Sequence, residues 1–146
     1  QDIGSTAGFA YFGLSWSLPG AGNRPVTRFD DAFPQRANVV YYFGAKLGGD
    51  EMLATYDALE RTNFPTLYAA TNPHDDFAEA FASYVHTILM NRPFTIELFG
   101  NGRLAKSFGA CWAQERCAQK RRYLEALLTP GLGAKPDPIE KEPAAQ

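Results

Sequence analysis

The segment Asn72 to Asn91 constrains this chain more than any other. Asn72 is a residue that caps helices through its side-chain oxygen, and Pro73 suits the first helical position, where its missing N–H costs nothing. Downstream, Phe77, Phe81, Tyr84, Val85 and Ile88 recur at helical spacing and cluster on one side. The helix is expected to end near Asn91, before Pro93. Around it the chain must supply a core, and with 45% hydrophobic and 14% aromatic residues in 146 it has the material for one domain or part of one.

The same segment crowds its start with acids. On a wheel of about 100° per residue, Asp75 at zero places Glu79 at about 40° and His86 at about 20°, roughly opposite the aromatic face. A carboxylate and a histidine stacked on one face can bind a metal or orient a group that does. The bland reading of the stripe is a wet helix face, with first-turn acids complementing the helix dipole in a capping-box-like start. His86 alone reads as an ordinary surface or core histidine, and His74 lies off the stripe. A standalone site built from Asp75, Glu79 and His86 is disfavoured by their spread of about 16 Å along the axis, too long for one ion.

Elsewhere the pattern predicts an α+β fold, mainly helical with a hairpin and short strands. Residues 1–37 read as irregular and turn-rich. Asn38–Gly44 (NVVYYFG) is β-branched and aromatic and predicts a buried strand. A helix opens in GGDEMLATYDALERT, capped by Gly49 or Asp50, with Met52, Leu53, Tyr56 and Leu59 as its apolar face. PFTIELFGNGRLAKSF predicts a hairpin turning at Gly100-Asn101-Gly102. A last helix is expected over about 113–128, with Cys117, Leu124 and Leu128 on one side, stopped by Thr129-Pro130-Gly131. Residues 1–130 form the expected folded unit, and the composition of residues 131–146 predicts a disordered tail.

A formal net charge of −2 gives no basic field for nucleic acid, and no apolar run approaches the roughly 20 residues of a membrane span. The two cysteines, Cys111 and Cys117, do not have metal-knuckle spacing. Two readings stay open: a disulfide, reachable if Cys111 precedes the helix and folds back, or two reduced core thiols. A bridge would imply a periplasmic or secreted protein.

YAATNPHDDFAEAF, Tyr68 to Phe81, resembles the third-ligand segment of zincin (gluzincin-like) metallopeptidases related to anthrax lethal factor. The resemblance is ungapped over about fourteen residues. It implies a zincin-like C-terminal subdomain that supplies part of a one-zinc peptidase site. Asp75 takes the place of the third zinc ligand, Tyr68 that of the tyrosine that hydrogen-bonds the developing oxyanion or protonates the leaving group, and Glu79 that of a carboxylate orienting a ligating histidine. Two departures stand out. The ligand position holds aspartate where the family has glutamate, one methylene longer, and Asp76 is an alternative ligand a turn of about 100° away. The chain also has no HExxH, whose helix supplies two zinc ligands and the general base. The expectation is therefore that this chain is the C-terminal portion of such an enzyme, inactive alone, whose partner is a preceding portion carrying HExxH and whose substrate is a peptide or protein. Gln1, with no leader before the Gly-rich run Gly4, Gly8 and Gly13, reads as a chain entered midway. The alternative is a non-catalytic zincin-like binding or assembly module without metal, its aromatics Phe9, Tyr11, Phe12 and Trp16 serving an interface with a second chain.

Overall fold

A computed structural model describes residues 10–18 and 24–128. Among them the chain is α+β, with three α-helices and two small antiparallel sheets. Helix α1 spans Met52–Leu59, α2 Pro73–Tyr84 and α3 Ala118–Leu128. Strands β1 (Trp16–Ser17) and β2 (Val26–Thr27) pair, as do β3 (Thr95–Gly100) and β4 (Arg103–Gly109).

Helix α2 starts as its sequence dictates. The Asn72 side-chain oxygen accepts from the backbone N–H of His74 and of Asp75, at 3.0 and 2.9 Å, with Pro73 in the first turn. The helix then loosens into a π-helical turn, Val85–Leu89, and the chain leaves it at Asn91 in a left-handed conformation (φ 50°). Its buried side is Asp76, Ala80 and Tyr84, while Phe81, expected at the apolar face, is 38% exposed. Helix α1 is introduced by a 3₁₀ turn, Gly49–Glu51, and the Glu51 carboxylate accepts from the Gly48 N–H at 2.9 Å. Its inner face is Thr55, Tyr56, Ala58 and Leu59, and Leu53 points away from the core.

The hairpin turns through Asn101 and Gly102, both at positive φ (52° and 74°), the type I′ geometry whose twist matches the strands. An irregularity in register falls between Leu98 and Phe99. Helix α3 starts later than expected, because Glu115–Cys117 forms a separate 3₁₀ turn. Cys111 folds back onto that turn and is disulfide-bonded to Cys117.

The expected strand over 38–44 does not form. Asn38 closes a 3₁₀ turn, and Tyr41, Tyr42 and Phe43 project outward, Phe43 fully exposed at φ 48°. β-propensity reports fit to a pleated, half-buried surface, and among the described residues no neighbouring strand offers one.

Two apolar clusters make the core. One gathers Trp16, Phe33, Leu59, Phe64, Leu67 and Phe108, and the other Tyr11, Ala80, Tyr84, Trp112, Leu124 and the disulfide. Tyr11 and Trp16, expected at an interface with a second chain, are instead buried in this chain's own core, at 1% and 5% exposure. The N-terminal segment is tied down by Asn63, which accepts from the Ser15 hydroxyl (2.7 Å) and donates to the Leu14 carbonyl (2.9 Å). Phe12 packs half-buried against the first cluster, while Phe9 and the expected tail lie outside the described residues.

Candidate functional site

The adjacent acids Asp75 and Asp76 meet opposite fates, as a step of about 100° around a helix requires. Asp76 points inward and is wholly buried. Its carboxylate accepts from Lys120 Nζ (2.7 and 2.8 Å), from Trp16 Nε1 (2.9 Å) and from the Tyr11 hydroxyl (3.2 Å). Lys120 is equally buried, its ammonium 4.7 Å from the Phe64 ring centroid and 5.2 Å from that of Tyr11. Burial pushes the Asp76 carboxyl up against the pull of Lys120 and the hydrogen bonds, and drives the Lys120 ammonium down to about 8. The alternative in which Asp76 binds the metal does not fit this placement. Both its oxygens are taken by donors and no side of it reaches solvent. The acid is a bolt between α2, α3 and the N-terminal segment.

Asp75 lies on the accessible side. Its Oδ2 accepts from the Thr71 hydroxyl (3.1 Å) and from the Asn72 side-chain amide, which returns the cap that Asn72 gives the helix. One turn on, Glu79 accepts from the Thr66 hydroxyl at 2.7 Å. Tyr68, in a 3₁₀ turn before the helix, lies in the field of both carboxylates. A hydrogen bond with Tyr42, then burial, then the charges of Asp75 and Glu79 push its phenol up to about 12, so it keeps its proton at neutral pH.

Two neighbouring openings run past these residues. Tyr68 and Glu79 line a cleft of about 170 Å³ with Tyr41, Tyr56, Phe94 and Phe108. Glu79 and His86 line an open groove of about 380 Å³ with Thr66, Ser83 and Phe94. Asp75 lines neither. His86 Nε2 lies 3.0 Å from the Pro93 carbonyl oxygen, a contact that ties the end of the helix to the approach to β3. The structure thus places Tyr68 and Glu79 on one cleft, Glu79 and His86 on the neighbouring groove, and Asp75 on the same accessible helix side but outside both.

Sequence reasoning missed the residues that organise this edge. Tyr41 and Tyr42, assigned to a strand, stand beside Tyr68, the Tyr41 ring edge-on to it at 4.8 Å between centroids. Thr66 and Lys120 fix Glu79 and Asp76. Lys120 had a signal. It sits at helical spacing between Cys117 and Leu124, a lysine inside an apolar stripe, which calls for a buried acid.

Among the described residues no group of three or more His, Cys, Asp or Glu could hold a metal ion. The donor set of this edge is therefore one carboxylate that could ligate and one that could orient a ligand. No family model, curated protein or solved structure matches the chain.

Proposed function

We propose that this chain is the C-terminal portion of a zinc-dependent metallopeptidase of the lethal factor-like zincin kind, working in the periplasm or outside the cell. The observation that carries the reading is the sorting of the four residues that the motif aligns. Tyr68 and Glu79 line one cleft and Asp75 lies one turn before Glu79 on the accessible side of α2, while Asp76, the alternative ligand, is locked in the core. The disulfide between Cys111 and Cys117 is in keeping with an oxidising compartment.

On this reading Asp75 would hold the zinc through its carboxylate, with two histidines and the general base supplied by an HExxH segment outside this sequence. Zinc, when bound, supplies Lewis-acid polarisation and lowers the pKa of water. What this chain's residues do is separate. Tyr68, held protonated, donates a hydrogen bond to the oxyanion that develops on the scissile carbonyl of a peptide. Glu79, fixed by Thr66, accepts from the outer ring N–H of a ligating histidine and sets its orientation.

The test uses the full-length gene product, with zinc content and chelator-sensitive peptidase activity as readouts. Asp75→Ala is expected to lose zinc and activity together. Tyr68→Phe is expected to keep zinc and lose on the order of 10²-fold in kcat, the scale of a deleted oxyanion donor. Unchanged zinc content in Asp75→Ala would overturn the ligand assignment. A second reading, a zincin-like binding or assembly module without metal, draws on the two hydrogen bonds that Asp75 makes within its own helix start. A full-length product purified without stoichiometric metal would favour it.

A further inference from the structure

Across α3 from the bolt, a polar cleft of about 260 Å³ is lined by Arg28, Arg61, Arg116 and Arg122, with Glu115 as its acid. The four arginines come from three separate parts of the chain: the segment after β2, the end of α1, and the start and body of the α3 region. Four cations against one carboxylate is a strong local excess in a chain whose formal net charge is −2. None of the four is in an ion pair with a described residue, whereas Arg36, Lys106, Lys120 and Arg121 all are. Arg28 stacks over the Phe29 ring at 4.8 Å. Arg116 is the floor. Its Nη1 donates to the carbonyls of Thr62 (3.1 Å) and Phe64 (2.9 Å), its Nε donates to Gln114, and its guanidinium lies over the Phe108 ring. Its buried Nη2 has no hydrogen-bond partner among the described residues. Dipoles therefore hold this guanidinium in place, and Glu60 is the carboxylate whose charge reaches it, without forming an ion pair. Burial accordingly pushes Arg116 down to about 10. Behind it, Lys120 adds no free charge, because Asp76 meets it.

We infer that this arginine cleft binds a phosphoryl-type oxyanion, a dianion or a polyphosphate. The guanidinium fork matches such oxygens two at a time, and arginines lining one cleft from different segments match a tetrahedral group better than a planar carboxylate. Charge selects in the same direction. A phosphate ester carries about −1.5 to −2 at neutral pH, closer to the local excess than a monoanion. The site lies on elements other than the Tyr68–Asp75–Glu79 edge and does not depend on the peptidase reading.

The experiment titrates the full-length protein with sodium phosphate, sodium pyrophosphate and sodium acetate, against sodium chloride at matched ionic strength. Calorimetry measures affinity and arginine Nε–H NMR locates it. Saturable binding of phosphate or pyrophosphate is expected, with acetate at least about tenfold weaker and the Nε–H signals of Arg116 and Arg122 shifting. Arg61 and Arg122 are exposed, so the double variant Arg61→Gln/Arg122→Gln is expected to keep its thermal midpoint in chloride and to lose at least about tenfold in affinity. Three results would overturn the inference: no saturation with either phosphate, acetate binding as tightly, or shifts in the wild type confined to arginines outside the cleft. Affinity unchanged in a folded double variant would also overturn it.

Discussion

Lys120 Nζ sits 2.7 and 2.8 Å from the two carboxylate oxygens of Asp76, and neither side chain has any solvent exposure. The pair joins α2 to α3, and through Trp16 Nε1 and the Tyr11 hydroxyl it also holds the N-terminal segment. Burying two charges is costly, and that cost is recovered only because every oxygen of Asp76 meets a donor and the ammonium lies among aromatic faces.

Breaking this pair from one side should be far worse than removing it whole. Lys120→Met leaves a buried carboxylate without its counter-charge and is expected to cost about 3–5 kcal/mol of unfolding free energy. Lys120→Met with Asp76→Leu removes both charges and should cost much less than the two single substitutions added together. Urea denaturation of the four proteins in the cycle reads the coupling directly. Additive losses would show that the two groups do not act as a unit.

The Cys111–Cys117 bridge closes a short loop, six residues apart in sequence. Chain-entropy arguments give such a loop roughly 2 kcal/mol, at the low end for disulfides. Reduction, or Cys111→Ala/Cys117→Ala, should therefore lower the thermal midpoint by a few degrees without unfolding the protein. Both sulfurs sit in the second apolar cluster, so the readout should include tryptophan fluorescence from the neighbouring Trp112.

Asp30 gives the fold an acid-sensitive tie. Burial pushes its carboxyl up, but the Arg36 guanidinium and the Thr27 hydroxyl and N–H outweigh that, and the net direction is down. A carboxyl depressed in the folded state stabilises it above the unfolded value of about 3.9, and that contribution is lost as pH falls through the folded value. Asp30→Asn is expected to lower stability at pH 7 and to flatten the loss of stability below about pH 4. Parallel curves for both proteins across that range would refute the assignment.

Two local signals can be tested on their own terms. Asn72→Ala removes the oxygen that satisfies the N–H groups of His74 and Asp75 and should cost about 1 kcal/mol. Gly102→Ala places a Cβ at φ 74° in the hairpin turn, for a loss of roughly 1–2 kcal/mol, even though nothing lies within 4 Å of the added atom. Denaturant midpoints for each variant check both.

The candidate edge was only partly legible before the fold was known. Asp75 and Glu79 follow from helical spacing, and in the structure Glu79 shares a cleft with Tyr68 while the charges of both acids reach its phenol. Nothing in the spacing showed that Tyr41 and Tyr42 would stand there too, because their β-branched and aromatic surroundings carry the pattern of a strand that finds no partner to pair with among the described residues.

What this sequence determined by itself is local. The Asn72-Pro73 start of α2, the Asn101-Gly102 turn and the existence of helices α1 and α3 depend on groups within a few residues of one another, so a short stretch contains the reason for them, although it did not fix which face of α1 turns inward. What only the tertiary structure decided is which of two neighbouring acids faces the core. That choice depends on Tyr11, Trp16 and Lys120, between 44 and 65 residues away along the chain, and a buried charge is tolerated only where such partners converge.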